Sequence, residues 1–224
     1  MHRRHAIYYA PPTGGALARL GASWLGRDAE TGAAPTQPDV EGIAALTAAP
    51  RRYGLHGTLK PPMRLAEGST PDDLLAALAA LAQTCAPVEL GRLQLQRLGG
   101  FLALVPDPQP AALEALAART VTELDPLRAP PPEAELARRR AAGLSPRQDA
   151  LLLRWGYPHV MEEFRFHVTL TGQLPDAAAS PLLHAAEAHF ADALAEPQRL
   201  ADLALFGEDA DGVFHLLTRV PLTG

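Results

Sequence analysis

Two short segments of this 224-residue chain carry a histidine and a threonine two positions apart, followed by a leucine. They read HGTL from His56 and HVTL from His167. Because side chains alternate between the two faces of a strand, each segment would place His56 beside Thr58, or His167 beside Thr169, on one face. Each pair offers an imidazole that can transfer a proton and a hydroxyl that can donate a hydrogen bond.

The same alternation assigns further side chains to the polar face of each predicted strand. In the first strand, Lys60 shares the face of His56, and in the second, Arg165 and Thr171 share the face of His167. A cation near each motif could offset the charge of a phosphate group. Lys60, Arg165 and Thr171 are therefore predicted to bind substrate.

The chemistry available to two such pairs is that of a phosphodiesterase. If the two strands meet across a cleft, one imidazole can act as general base and the other as general acid. The two hydroxyls can then donate hydrogen bonds to the nonbridging oxygens of a phosphodiester. These groups can cleave or open a phosphodiester without a metal ion.

Both motifs begin a unit with the predicted order strand, helix, strand, strand. The units span about 54–106 and 164–221. The proline predicted to open the helix, Pro71 or Pro181, lies 15 residues after the motif histidine in the first unit and 14 in the second. This spacing predicts an internal duplication whose halves pair about a pseudo-twofold axis.

An inserted helical segment at about 107–160 separates the two units. It is predicted to contain helices near 110–124 and 145–155, with a proline-rich break between them. The run Arg138–Arg140 within it is either a phosphate-binding cluster or the solvated end of a helix. Charge runs usually have the second role, which the sequence alone favours.

Composition narrows the class of protein. The net charge of −5 argues against a binder of long nucleic acid, but it is compatible with a small phosphorylated substrate. No apolar stretch approaches roughly 18 residues, so no membrane span is expected. The N-terminal apolar run is too short for a signal peptide, and the single cysteine, Cys85, cannot form an internal disulfide. We therefore expect a cytoplasmic protein, with its oligomeric state left open.

Eight histidines raise the question of a metal site. His184 and His189 are five residues apart on a predicted helix, so they do not share a ligand face well. Neither motif histidine lies in a metal-ligand spacing, and threonine is a poor zinc ligand. We predict neither a metal nor a cofactor. Of the two tyrosines that flank the motifs, Tyr53 is predicted to pack in the core, while Tyr157 has no clear role.

The paired motifs resemble the H-x-[ST]-x signatures of the 2H phosphoesterase superfamily. The wider stretches RYGLHGTLKPP and WGYPHVMEEFRFHVTLTG resemble a branch of uncharacterised proteins associated with bacterial phosphonate-utilisation operons. The resemblance covers most of the chain. It implies one bilobed α+β domain over residues 1–224, with two pseudo-twofold-related antiparallel sheets forming a concave cleft and helices outside. It also implies that His56 and His167 are catalytic and that Thr58 and Thr169 hold the phosphate.

The favoured function is a metal-independent phosphodiesterase that hydrolyses or opens a cyclic phosphodiester on a small ribosyl or nucleotide-like molecule, in phosphonate metabolism. An RNA-end 2′,3′-cyclic phosphodiesterase is one alternative. A non-catalytic protein that binds a phosphorylated metabolite is another, although binding alone would not need a matched acid and base. The sequence does not indicate the substrate or which histidine is the acid.

Overall fold

The chain forms nine β-strands and eight α-helices over residues 2–224, which are the residues that this computed structural model describes. The strands are β1 His5–Tyr9, β2 Gly57–Met63, β3 Val88–Gly91, β4 Leu93–Leu98, β5 Phe101–Pro106, β6 Val168–Thr169, β7 Gln198–Leu200, β8 Asp202–Glu208 and β9 Phe214–Pro221. The helices are α1 Ala16–Leu25, α2 Ile43–Leu46, α3 Ala48–Arg51, α4 Pro71–Ala82, α5 Ala111–Glu123, α6 Glu133–Arg140, α7 Pro146–Trp155 and α8 Asp176–Ala195.

Seven of the strands form one antiparallel sheet in the order β4-β5-β6-β2-β1-β8-β9, and β3 pairs with β7 in a separate two-stranded sheet. The predicted α+β class with two antiparallel sheets is confirmed. The two motif strands, β2 and β6, are neighbours near the middle of the large sheet. Their side chains on one face are therefore brought close together.

The pairing of strands follows the order of the two sequence units. β2 and β6 hold equivalent places in the units, as do β3 and β7, and each pair is antiparallel. Two equivalent strands paired in this way are related by a local twofold axis. The hairpin β4–β5 of the first unit lies beside β6 of the second, so the two units are interleaved. Duplication of the sequence itself stays a prediction.

The helix of the first unit, α4, begins where the sequence predicts. Thr70 is the N-cap, Pro71 is the first helical residue, and Thr70 and Asp73 form a reciprocal capping box. Leucines at helical spacing, Leu74 and Leu78, are completely buried against the sheet. Local signals alone were sufficient to define this element.

The helix of the second unit, α8, begins at Asp176 and not at Pro181 as predicted, so Pro181 lies inside it. Three alanines, strong helix formers, follow Asp176 and extend the helix toward its N-terminus. The cost is the backbone hydrogen bond that Pro181 cannot donate. The matching proline spacing therefore does not mark the same structural position in the two units.

The two faces of the large sheet differ in what they bury. The face covered by helices holds the main core. Helix α1 is connected to it by a hydrogen bond of 3.0 Å, which the Trp24 indole donates to the Leu170 carbonyl. The other face carries a small cluster of alanine and aromatic side chains from β1, β8 and β9, which includes Tyr8 and Phe214. No helix within residues 2–224 has the length and apolar character to cross a membrane.

Candidate active site at the junction of the motif strands

β2 and β6 meet at a single backbone pair, Gly57 with Val168. Val168 is completely buried on the helix-covered face, where the ring of Phe166 also packs. A Cβ atom at Gly57 would lie 2.4 Å from that ring. Glycine is therefore needed in the first motif because an aromatic side chain of the second motif lies against its backbone.

The residues on either side of this backbone pair point to the opposite face. In the antiparallel register, His56 lies opposite Thr169, and Thr58 lies opposite His167. In a regular antiparallel pair, the Cβ atoms of directly opposed residues are about 5 Å apart and diagonal neighbours are about 7–8 Å apart, and the two histidines are diagonal neighbours. The structure thus brings all four predicted residues together, with each histidine facing the threonine of the other motif.

Both imidazoles are oriented by the same backbone contact. His56 Nδ1 lies 2.9 Å from the Gly54 carbonyl, and His167 Nδ1 lies 2.8 Å from the Arg165 carbonyl. A carbonyl oxygen can only accept, so Nδ1 carries the proton in each contact and donates it. Nε2 of each ring is then the atom available to a substrate, either as a lone pair or as a second N–H.

His56 lies among aromatic rings. Its ring centroid is 4.1 Å from that of Tyr8 and 5.5 Å from that of Tyr53. The pKa of His56 is lowered to about 4, chiefly by burial and to a smaller extent by the nearby His167, while the hydrogen bond to Gly54 opposes the shift. His56 is therefore neutral at neutral pH, with an unprotonated Nε2.

Two cavities open beside the four motif residues. The first, of about 390 Å³, is lined by His56, Thr58 and Thr169, and the second, of about 480 Å³, by Thr58 and His167. Tyr157 also lines both. These volumes are in the usual range for small-molecule sites. Together the cavities form one cleft, with Thr58 at the boundary.

The hydroxyls of the predicted threonines are not equivalent. Within residues 2–224, Thr58 and Thr169 make no side-chain hydrogen bond to the protein, and both line the first cavity. Thr171 also lines this cavity, but its hydroxyl accepts from the Leu102 amide at 3.0 Å and donates to the Gly172 carbonyl at 2.9 Å. Thr58 and Thr169 therefore have hydroxyls available to a ligand, and that of Thr171 is already engaged.

Lys60 does not reach the cleft, and the assignment of its side chain to the face of His56 is wrong. It is 1% exposed, donates to the Val121 carbonyl at 2.9 Å and lies 3.8 Å from Asp125. The reason is a β-bulge, because the register with β1 shifts by one residue between Thr58 and Lys60. Burial lowers the pKa of Lys60 to about 8. Arg165, in contrast, is exposed and lines the second cavity beside His167.

The first cavity also contains side chains that sequence reasoning did not assign to the site. Arg138 and Arg139, at the end of α6, line it together with Arg4. The interpretation of the arginine run as only a solvated helix end is therefore incomplete. Tyr53, predicted to pack in the core, stacks on Phe214 at 4.9 Å and also lines this cavity.

No set of three or more histidine, cysteine, aspartate or glutamate side chains in residues 2–224 is placed to hold a metal ion. The two motif histidines face threonine hydroxyls across the strands. Acid–base chemistry on a bound anion is what this arrangement can perform.

A family described as "Protein of unknown function (DUF1045)" matches residues 58–215 of the chain. The chain belongs to this family. The matched region contains Thr58 and the whole second motif, and it includes the inserted helical segment that carries α6.

Two curated relatives are each named ribose 1,5-bisphosphate phosphokinase PhnN. The protein from Janthinobacterium sp. (strain Marseille) is 41% identical over 231 residues, which are 99% of this chain and 51% of the relative. That from Laribacter hongkongensis (strain HLHK9) is 39% identical over 97% of this chain and 51% of the relative. The chain thus spans about half the length of the curated relatives it matches.

Among solved structures, E. coli LigT complexed with 3′-AMP aligns over the full length of both chains, with 16% identity and a TM-score of 0.46. A likeness at this level carries no information about the reaction.

Proposed function

We propose that this protein is a phosphodiesterase that opens a cyclic phosphodiester on a small ribosyl or nucleotide-like molecule. The observation that carries the proposal is the backbone pair of Gly57 with Val168. It sets two imidazoles and two hydroxyls around one point at the centre of a cleft.

Of the two motif histidines, His56 is suited to the role of base. Because His56 is neutral at neutral pH, its Nε2 can accept a proton from a water molecule whose oxygen attacks phosphorus. The bond from phosphorus to one ring oxygen then breaks, and the Nε2–H of a protonated His167 is donated to that oxygen. The product is a phosphomonoester beside a free hydroxyl, and both imidazoles return to their starting forms by exchange with solvent.

The hydroxyls of Thr58 and Thr169 donate to the nonbridging oxygens of the phosphate. Negative charge grows on these oxygens as the new bond forms, so donors already in position stabilise the transition state more than the substrate. The aromatic rings of Tyr8 and Tyr53 make the surroundings of His56 less polar, which strengthens these contacts.

The relatives' name supports a ribose phosphate as the molecular context, and the resemblance to proteins of phosphonate-utilisation operons supports phosphonate metabolism. This chain has no sequence motif that would support the kinase activity in that name. Lys60 is the only lysine in the sequence and it follows a leucine, so no glycine–lysine pair of a Walker A loop occurs. We propose that the kinase chemistry belongs to the other half of the relatives.

The test is a turnover assay of the purified chain against nucleoside 2′,3′-cyclic phosphates and cyclic ribose phosphates. His56→Ala and His167→Ala should each lower turnover by about two to four decades. In decades of turnover, the loss in the double variant should be smaller than the sum of the losses in the two single variants, because the pair acts as a unit. His184→Ala, on the exposed side of α8, is the matched control and should behave as wild type. Near-full activity in either motif variant would remove that histidine from the mechanism.

A further inference from the structure

The two cavities of the cleft differ in charge. The charged side chains lining the first cavity are Arg4, Arg138 and Arg139, with no carboxylate among them. The second cavity has one of each sign, Glu163 and Arg165, and the rest of its lining is largely apolar or aromatic. An anionic group would therefore be favoured on the His56 side of the cleft and not on the His167 side.

The three arginines of the first cavity differ in how they are held. Arg4 makes a bidentate pair with Glu208, both contacts at 2.6 Å, and Arg139 is held by Glu135 at 2.9 Å and lies 4.8 Å above the ring of Tyr157. Within residues 2–224, Arg138 has no carboxylate partner, and it is exposed. Arg138 thus carries the uncompensated positive charge of this cavity.

The element that supplies Arg138 and Arg139 contributes little to the core. No residue of α6 is buried. Salt bridges hold the helix in place, including Glu135 with Arg64 and Arg140 with Asp149. A surface helix fixed by ion pairs, with two arginines turned to a cavity, is better explained by a ligand than by packing.

We infer that the first cavity binds a second phosphate group of the substrate, in addition to the diester at the motif junction. This inference rests on the proposed function. Guanidinium groups match the geometry of phosphate oxygens and donate charge-assisted hydrogen bonds. The substrate class is then a cyclic phosphodiester that carries a phosphomonoester elsewhere on the same sugar. The monoester lies on the His56 side, and the remaining organic group extends toward His167.

Direct binding tests the inference without requiring turnover. Calorimetry compares a nucleoside 3′,5′-bisphosphate with the matching 3′-monophosphate on wild type, Arg138→Gln and Arg92→Gln. Wild type should bind the bisphosphate about tenfold or more tightly than the monophosphate. That preference should vanish in Arg138→Gln. It should remain in Arg92→Gln, because Arg92 is exposed between β3 and β4 and does not line the cavity.

A turnover arm separates this inference from the proposed function. Nucleoside 2′,3′-cyclic phosphates with and without a 5′-phosphate are assayed with the same three proteins. Equal KM values for the two substrates, unchanged in Arg138→Gln, would overturn the second-phosphate site and leave the phosphodiesterase intact. Suppose that no cyclic diester is cleaved but that Arg138→Gln still abolishes the preference for the bisphosphate. The phosphate-binding site at Arg138 would then be supported, and the proposed phosphodiesterase activity would be rejected.

Discussion

At the scale of single residues, the three threonines of the cleft differ in what their hydroxyls already contact. Thr58 and Thr169 face the cavity without a protein partner in residues 2–224, whereas the hydroxyl of Thr171 joins β5 to the end of the second motif. Spacing along a strand predicts which face a hydroxyl occupies. It does not predict whether the hydroxyl is available.

Thr58→Val and Thr169→Val should each slow the chemical step while the fold is retained. Valine keeps the β-branched shape and removes only the donor, so the transition state should lose about 2–4 kcal/mol of stabilisation. The measurement is kcat/KM together with thermal unfolding. Thr171→Val is the control, with lower unfolding stability and a smaller effect on kcat/KM. Equal losses of activity in all three variants would show that the hydroxyls do not have the separate roles assigned to them.

The burial of His56 predicts an unusual pH dependence. The pKa of this histidine is lowered to about 4, chiefly because the charged form is desolvated. Since the base must be neutral, kcat/KM of the free enzyme should begin to fall only near pH 4. A fall in kcat/KM as pH decreases through about 6.5, where an unperturbed histidine titrates, would contradict the assignment of His56 as a base with a lowered pKa.

The same shift affects stability in a defined direction. Between about pH 4 and 6.5, His56 binds a proton in the unfolded chain but not in the folded one, so the free energy of unfolding decreases as pH falls through this window. Above about pH 6.5 His56 is neutral in both the folded and the unfolded chain, so this loss of stability is absent. Urea unfolding of His56→Gln at pH 7 and pH 5 should show a smaller loss on acidification than wild type.

At the scale of elements, the irregularity of β2 decides where its last side chains point. The register with β1 shifts between Thr58 and Lys60, so the alternation that holds for His56 and Thr58 does not extend to Lys60. Its ammonium group instead donates to the carbonyl of Val121 near the end of α5.

Lys60→Met should therefore change stability and not substrate binding. The variant leaves the buried Val121 carbonyl without its side-chain donor, which costs about 1–3 kcal/mol of unfolding free energy. KM for a cyclic phosphodiester should stay at the wild-type value. A large rise in KM with unchanged thermal stability would return Lys60 to the binding site.

The junction of β2 with β6 depends on the small size of Gly57. Gly57→Ala would bring a Cβ atom to 2.4 Å from the Phe166 ring, and overpacking of this kind costs about 1–3 kcal/mol. We expect lower thermal stability and lower activity together, because the strands that carry both motifs must separate. Gly172→Ala, where the nearest atom would be 3.5 Å away, is the control. Phe166→Leu in the Gly57→Ala background should restore part of both properties.

At the scale of the whole molecule, the interleaved halves make one site from two distant segments. Neither half alone contains both motif histidines, so the proton transfer and charge stabilisation that we propose depend on the joined sheet. The groups at the junction suffice for the reaction as proposed. Turnover should accordingly survive EDTA and should not increase with Mg²⁺ or Mn²⁺. Complete loss on chelation, with recovery on adding one divalent ion, would require a different mechanism.

The sequence by itself determined the local features of this protein. The spacing of His56 with Thr58 and of His167 with Thr169 predicted one shared face for each pair, and cap residues predicted the start of α4. These inferences succeed because strand alternation and helix capping depend on residues a few positions apart. They fail where local order is interrupted, as at the bulge in β2 and at the N-terminus of α8.

Only the tertiary structure decided which distant groups meet. The pairing of Gly57 with Val168, the burial of Lys60 and the arrival of Arg138 at the His56 cavity each depend on contacts between residues far apart in the chain. Such contacts are selected by the burial of the whole sheet against its helices, and no short window of sequence contains that information. For this reason the two His–Thr pairs could be predicted from the sequence, whereas the position of the arginines beside them could not.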